Sequence, residues 1–322
     1  MKVLVTGGAG FIGSHLIDRL LLNGDRVTCV DNYLLGKKLH LGSALKNENF
    51  YLHDFDLIDV KKLESLFERE KFDIIYHLAA NSDIKLGFED SQVDFDNTLT
   101  STLNVLNCMK KYDSKKIVFA SSSAIYGDNN KLLSEEMGPL LPISNYGAAK
   151  LASEAYISSF SNNNNFCSMI VRFPNVIGFR LTHGVIYDFI NRLELNPKKL
   201  FILGDGNQKK PYLYINDLLD AIGIGVNNLT NGINVYNVAP NSLSSVKFIA
   251  KNVIDLMKLK GTDLKYAGGR IGWVGDIPTF SYDTSKINNL GWRPNYSSDE
   301  AIIKSIEMEI QYRSQIIGKR NN

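Results

Sequence analysis

Short apolar runs alternate with amphipathic segments along the first half of the chain. The apolar runs predict buried strands at 3–5, 26–30, 50–53, 73–80 and 117–120. Apolar residues three to five positions apart predict helices at 12–21, 57–69, 94–112 and 145–160. Strands and helices that alternate in this way form parallel βαβ units. The pattern therefore predicts an α/β fold with a doubly wound parallel sheet and ligands at the carboxyl ends of its strands.

Length, charge and cysteine content narrow the class of protein. The 322 residues suffice for one large domain, or a large and a small one, and a net charge of +2 predicts no nucleic-acid or anionic membrane partner. Cys29, Cys108 and Cys167 are scattered, and no CxxC or HExxH spacing occurs, so we expect reduced cysteines and no metal site. Gly7 interrupts any signal-peptide core and no run is long enough for a membrane span, which predicts a cytoplasmic protein.

The first strand runs directly into a glycine-rich turn. Gly7, Gly10 and Gly13 follow the apolar residues 3–5, and Phe11 and Ile12 begin the next helix. Glycine suits each position because the turn is tight, the backbone must approach a pyrophosphate and the helix must pack close to the strand. The amides of the helix N-terminus would then face the phosphate charge, which predicts a dinucleotide site.

Carboxylates end the next two strands. Asp31 lies 18 residues after Gly13, where it can accept hydrogen bonds from the adenosine ribose hydroxyls. A carboxylate repels a 2′-phosphate and no arginine lies between Val27 and Gly36, so the sequence predicts NAD rather than NADP. Asp56 can bond the adenine amino group; an alternative that does not exclude this one is that it caps the helix from Leu57.

Candidate catalytic residues lie near the end of the fifth strand. Ser122 follows that strand, and Tyr146 and Lys150 stand four residues apart, so both project from one helix face. A nearby ammonium and a positively charged nicotinamide favour the phenolate of a tyrosine. Such a phenolate can take a proton from a sugar hydroxyl while hydride leaves the same carbon for NAD, with the serine hydroxyl sharing the hydrogen bond.

Together these motifs resemble the extended short-chain dehydrogenase/reductases of the nucleotide-sugar epimerase/dehydratase group, such as UDP-glucose/galactose 4-epimerases. The resemblance covers nearly the whole chain. It implies a Rossmann-type NAD-binding domain at 1–175, to which 235–259 return, and a smaller substrate-binding lobe made of 176–234 and 260–322. The matching segments are 6–13, 31–32, 77–80, 97, 122, 146–150, 172–178, 184–186, 204–206, 214–217 and 290–294.

The resemblance also implies roles for individual residues. Those implied for NAD are Gly7, Gly10, Phe11, Ile12, Gly13, Asp31, Asn32, Asp56, Leu57, Leu78, Ala79, Ala80, Asn97, Tyr146, Lys150, Phe173 and Pro174. Those implied for the nucleotide-diphosphate sugar are Ser82, Ser122, Ser123, Asn175, Gly184, Val185, Lys210 and Arg270. Within these sets, Asn97 bonds a backbone group behind the active site and Asn175 contacts the diphosphate.

Four positions qualify the resemblance. Position 124 carries Glu in relatives that eliminate water and Cys in those that epimerise beside a ketone; Ala124 can do neither, which leaves oxidation and reduction at one carbon. Lys210 replaces the usual arginine and meets a phosphate as a point charge, without a bidentate fork. Arg270 would supply another phosphate contact. His183 could touch the sugar or be a structural bystander.

These observations predict an NAD-dependent nucleotide-sugar 4-epimerase that acts through a transient 4-ketone, with a UDP-hexose as first choice. The alternatives are a net 4-dehydrogenase of a UDP- or GDP-linked sugar such as a GDP-heptose, and a non-enzymatic NAD-binding protein. Helices 94–112 and 145–160 carry surplus apolar and small residues that predict a homodimer through a four-helix bundle. These are Leu103, Val105, Leu106, Ala148, Leu151, Ala152 and Ala155.

Overall fold

The computed structural model describes residues 1–129, 131–269, 277 and 279–320. The strands are β1 Lys2–Thr6, β2 Arg26–Asp31, β3 Phe50–Asp54, β4 Ile74–His77, β5 Lys116–Ala120, β6 Cys167–Arg172, β7 Asn175–Ile177, β8 Lys199–Ile202, β9 Lys209–Lys210, β10 Tyr212–Tyr214, β11 Gly232–Asn237, β12 Ser244–Ser245 and β13 Asp263–Tyr266. The helices are α1 Phe11–Leu22, α2 Val60–Arg69, α3 Ile84–Glu89, α4 Ser91–Asp94, α5 Ser101–Lys111, α6 Asn145–Asn164, α7 Val185–Leu195, α8 Ile215–Asn227, α9 Val246–Leu256, α10 Ser285–Asn289 and α11 Ser298–Arg320.

Seven of the described strands form one parallel sheet in the order β11-β6-β5-β4-β1-β2-β3. β1 lies inside this sheet, and its residues Val3, Leu4 and Val5 are fully buried because helices cover both faces. The chain runs outward from β1 in one direction and from β4 in the other. This order confirms the Rossmann-type fold, and it opens a crevice beyond the carboxyl ends of β1 and β4.

Two helices differ from their predicted form. α2 begins at Val60 rather than Leu57, because Asp59 is the residue whose side chain caps it, accepting from the Lys62 amide at 3.2 Å. The predicted helix 94–112 is helical from α4 through α5, but Phe95–Thr100 between them is a π-helical segment. A π-helical turn inserts one extra residue into a helix and is frequent at functional sites.

The C-terminal half adds short strand pairs around the mouth of the crevice. β10 pairs with β7 and β13 with β8, both in parallel, while β12 pairs with β9 in antiparallel fashion. β11 returns to the main sheet beside β6, and α9 packs against α7 and α11. The division into two lobes at the predicted boundaries stays a prediction. Within the described ranges, no helix is long and apolar enough to cross a membrane.

Candidate active site

The turn after β1 requires glycine because a side chain at Gly7 or Gly13 would meet the backbone. Its backbone amides therefore stay open to a phosphate. Gly7 has a φ of +69°, and a Cβ on it would lie 2.7 Å from the amide nitrogen of Ala79. A Cβ on Gly13 would lie 2.3 Å from the carbonyl oxygen of Gly7, so α1 rests directly on the turn. Gly10 precedes α1 without a side-chain cap. The N-terminal amides of α1 therefore face the crevice without a competing side chain, as a pyrophosphate requires.

Asp31 is fixed at the end of β2 by two backbone amides. Its Oδ2 accepts from Ala9 and its Oδ1 from Tyr33, each at 2.8 Å, and burial raises the pKa of its carboxyl group. Next to it, Asn32 donates to Asp56 Oδ2 at 2.7 Å. These contacts hold carboxylate oxygens at the crevice where an adenosine would lie, which fits the predicted NAD site.

Ser122 and Tyr146, the predicted catalytic serine and tyrosine, are brought together by a glycine. Ser144 caps α6 by accepting from the Gly147 amide at 3.1 Å, and Tyr146 is the second residue of that helix. A Cβ on Gly147 would lie 2.5 Å from the carbonyl oxygen of Ala124, so only glycine allows this approach. The start of α6 consequently rests on the turn after Ser122. The two side chains are then within hydrogen-bonding reach of each other.

Lys150 lies beneath Tyr146 in a buried position. Its ammonium donates to the carbonyl of Ala120 at 2.6 Å and lies 5.9 Å from the centre of the Tyr146 ring. Burial lowers the pKa of Lys150 to about 7, opposed by Glu154 and Asp94. Burial also raises the pKa of the Tyr146 phenol, and the hydrogen bond with Ser122 opposes this. Lys150 alone therefore does not outweigh burial, and the predicted preference for the phenolate, which also counts on the charge of a bound nicotinamide, stays a prediction.

A buried ion pair behind these residues was missed by the sequence analysis. Glu154 accepts from Arg172 through Nη2 at 2.6 Å and Nε at 3.1 Å, and both side chains are under 8% exposed. Ser121 also donates to this carboxylate. Glu154 lies four residues after Lys150, so the spacing of Tyr146, Lys150 and Glu154 along one helix face was the available signal. The pair joins α6 to the ends of β5 and β6, next to Ser122 and Phe173.

The crevice is one continuous cavity of about 580 Å³ that brings most of the predicted residues together. It is lined by the following predicted NAD residues: Gly7, Gly10, Phe11, Ile12, Gly13, Asp31, Asn32, Asp56, Leu57, Leu78, Ala79, Ala80, Asn97, Tyr146, Phe173 and Pro174. Predicted substrate residues in its lining are Ser82, Ser122, Ser123, Asn175, Gly184, Val185 and Lys210. Lys150 lies behind this wall. Arg270 lies outside the described residues, and all these roles stay predictions.

Three further residues bear on individual predictions. Asn97 donates to the Val93 carbonyl at 3.0 Å, a backbone partner within its own helical segment. Ala124 lines the cavity beside Ser122 and presents only a methyl group. His183 also lines it, on the exposed loop before α7, with its Nδ1 2.9 Å from the Thr182 hydroxyl. Within the described ranges, no cluster of three metal-ligating side chains occurs.

Comparison with known proteins agrees with this geometry. The profile of the NAD dependent epimerase/dehydratase family matches residues 3–239. A Methanocaldococcus jannaschii protein, whose own naming as a UDP-glucose 4-epimerase is provisional, is 32% identical over 93% of this chain and 95% of that protein. Human dTDP-D-glucose 4,6-dehydratase is 31% identical over 95% of this chain and 89% of its own length.

A solved structure extends the likeness to three dimensions. The UDP-glucose 4-epimerase of Thermotoga maritima, crystallised with UDP-glucose, superimposes with a TM-score of 0.87. It is 30% identical, and the match covers 98% of this chain and all of the other. The glycine turn, the carboxylate after β2 and the Ser122–Tyr146–Lys150 group all lie within the matched span of the family profile. The chain therefore belongs to the NAD dependent epimerase/dehydratase family.

Proposed function

We propose that this chain is an NAD-dependent nucleotide-sugar 4-epimerase that acts through a transient 4-ketone, with a UDP-hexose as its substrate. One observation carries the proposal: Ser122 and Tyr146 line the same cavity as the glycine turn and Lys210. A dinucleotide and a diphosphate sugar can therefore meet at the catalytic pair. The T. maritima relative is a UDP-glucose 4-epimerase, which supports this choice of substrate and reaction.

The residues divide the chemistry among them. Tyr146 takes the proton from the sugar hydroxyl and returns it to the reduced product, while Ser122 shares the hydrogen bond to the same oxygen. Lys150 adds a positive charge behind the phenol and would hold the nicotinamide ribose of NAD. NAD would supply the acceptor and then the donor of the hydride. Phe173 and Pro174, which follow β6 in the cavity wall, flank the nicotinamide.

Ala124 argues against water elimination. The human relative is a 4,6-dehydratase, and the family resemblance implies Glu at position 124 in relatives that eliminate water. A methyl group cannot remove or supply a proton beside the ketone, so the site supports oxidation and reduction at a single carbon. Both the epimerase and the net 4-dehydrogenase require only this chemistry.

A substrate panel separates the two reactions. The purified protein is incubated with UDP-, GDP- and dTDP-hexoses and a GDP-heptose, with and without added NAD, while product identity and absorbance of NADH are followed. An epimerase converts one 4-epimer into the other with no net NADH. A net dehydrogenase forms one NADH for each 4-keto sugar released. Loss of water from any product contradicts the proposal, and an absence of turnover on all of them leaves the non-enzymatic alternative.

We further propose that the active form is a homodimer. Its interface differs in part from the set of residues predicted from the sequence. Val105 and Leu106, predicted for the interface, are fully buried in the core. The outer stripe instead contains Phe95, which is 52% exposed, and the partly exposed Leu99 and Leu103. A second stripe on α6 contains Ala148, Ala152, Ala155 and Tyr156. Pairing of both stripes across a two-fold axis would cover these apolar side chains.

Sedimentation of Leu103→Asp at micromolar concentration tests the dimer. The added charge should shift the protein toward the monomer by at least about tenfold in dissociation constant, because it would be buried without a partner. Leu22→Asp is the control, since Leu22 is 88% exposed on α1 and lies outside both stripes. A monomeric wild type, or equal effects of the two variants, would reject this interface.

The cytoplasmic location stays a prediction.

A further inference from the structure

Gln208 carries a buried acceptor that nothing in the described part of the protein satisfies. Its side chain is 4% exposed, and its Nε2 donates to the carbonyl of Leu203 at 3.4 Å. Among the described residues, Oε1 accepts no hydrogen bond. Rotating the amide by 180° would place Oε1 against the Leu203 carbonyl, so the free atom is the oxygen. A buried polar atom without a partner is unfavourable and points to a missing donor.

The backbone holds this side chain in one place. The Gln208 carbonyl accepts from Val246 at 3.3 Å, and β9, which follows it, pairs with β12. On the other side, Asp205 accepts from the Asn207 amide at 2.8 Å and closes the turn before Gln208. The acceptor is thus positioned before any ligand arrives, so a matching donor meets it with little loss of side-chain freedom.

The position of Gln208 in the cavity indicates which part of the substrate donates a hydrogen bond to its Oε1. Gln208, which directly precedes β9, and Lys210, within β9, both line the cavity. Lys210 is the predicted diphosphate contact, whereas Leu203 and Val246, which flank Gln208 in the cavity wall, are aliphatic. Oε1 therefore lies near the predicted diphosphate contact and beside aliphatic side chains, which suits a nucleoside.

We propose that Gln208 is a substrate-recognition residue whose Oε1 accepts a hydrogen bond from the nucleoside, either from the imide N–H of a uracil-type base or from a ribose hydroxyl. The inference rests on the proposed function and names the part of the substrate that this residue distinguishes. Both sources are donors, which a lone carbonyl oxygen can accept. If the base is the donor, cytosine, which presents an acceptor at the imide position, would leave Oε1 unpaired.

Calorimetric titration of the NAD-loaded protein with three probes identifies the donor. The probes are UDP, 2′-deoxy-UDP and UDP methylated at N3 of uracil. One analogue should bind about tenfold more weakly than UDP, because it leaves Oε1 buried without a partner. Weaker binding of the N3-methyl probe assigns the base, and weaker binding of the deoxy probe assigns the ribose.

Two variants then test whether Gln208 is the cause. Gln208→Met keeps the volume without the acceptor, so UDP and the discriminated analogue should bind equally. Gln208→Glu keeps an acceptor and should retain the discrimination even if overall affinity falls. Asn207→Ala, at an exposed neighbour in the same turn, should leave the ratio unchanged.

The outcomes separate this inference from the proposed function. If UDP binds but neither analogue is discriminated, or if Gln208→Met retains the wild-type ratio, the role of Gln208 is wrong while the epimerase proposal stands. If the protein turns over a nucleotide sugar with another base in the substrate panel and UDP does not bind, the choice of UDP-hexose fails as well.

Discussion

On α6, the Glu154 carboxylate accepts from Ser121 and twice from Arg172, whereas in the cavity wall the Gln208 Oε1 lacks a partner among the described residues. Both side chains are buried, and both lie close to the cavity. The difference indicates two structural roles for buried polar groups. Polar groups that are satisfied within the protein fix the position of the catalytic segments before substrate binds, while a polar group left unsatisfied is available to recognise the substrate.

This comparison predicts that one substitution can lower turnover without lowering the affinity for UDP. Tyr146→Phe should lower turnover on the order of 10²–10⁴-fold, because the ring still packs but the proton-transferring oxygen is gone. Affinity for UDP should remain within about twofold, since no donor or acceptor at the nucleoside end changes. Initial rates and calorimetry on the same preparation measure both quantities.

Two variants calibrate the effect of Tyr146→Phe. Tyr51→Phe makes the same change on β3, at a side chain that is 39% exposed and lies outside both the cavity lining and the two stripes, and it should leave turnover unchanged. Ser122→Ala removes one hydrogen bond to the reacting oxygen and should be milder than Tyr146→Phe. Equal turnover of Tyr146→Phe and wild type would remove Tyr146 from the role of base.

Glu154→Gln tests whether the satisfied network acts as a scaffold. Replacing the carboxylate leaves the Arg172 guanidinium buried without a charged partner, so the free energy of unfolding should fall by about 3–5 kcal/mol. Urea denaturation measures it. The same substitution at Glu64, whose pair with Lys111 is half exposed, should change stability by less than about 1 kcal/mol. Similar losses at the two sites would show that burial of the ion pair is irrelevant.

Another satisfied side chain, His77, gives a smaller, pH-dependent effect. His77 is fully buried between the hydroxyls of Thr6 and Thr102, and burial lowers its pKa from 6.5 to about 3. Between these values the unfolded chain binds a proton that the folded protein does not, so His77 destabilises the fold as pH falls through this range. At pH 5 the loss should be about 2 kcal/mol relative to pH 8.

Comparison with His77→Asn isolates this contribution. The difference in unfolding free energy between wild type and His77→Asn should shift by about that amount from pH 8 to pH 5, in the direction that disfavours the wild type. His53→Asn, at a less buried histidine of β3, should show a smaller shift. A wild-type advantage that is constant with pH would mean that His77 titrates in the folded protein as it does in the unfolded chain.

The strand, turn and helix around the glycine motif could be predicted from the sequence because these elements are close together along the chain. The strand, glycine turn and helix of residues 2–22 are contiguous, and Asp31 ends the next strand, so short spacing rules place all of them. Glu154 and Arg172 lie 18 residues apart on a helix and a strand, and only the packed structure shows that they meet. Helical spacing placed Val105 and Leu103 together, but it could not tell which side of α5 faces the core.

The glycine after the predicted catalytic tyrosine has a consequence for anyone who engineers this site. Because a Cβ on Gly147 would lie 2.5 Å from the Ala124 carbonyl oxygen, the gap between Tyr146 and Ser122 is set by main chain meeting main chain. Such a contact cannot be relieved by a change of side-chain rotamer, because both partners are backbone atoms. Adding one methyl at 147 would push the start of α6 outward by more than the roughly 0.5 Å that a catalytic geometry tolerates. Mutational libraries that vary the cavity wall should therefore hold position 147 fixed, or the reacting oxygens will lose their alignment whatever side chains surround them.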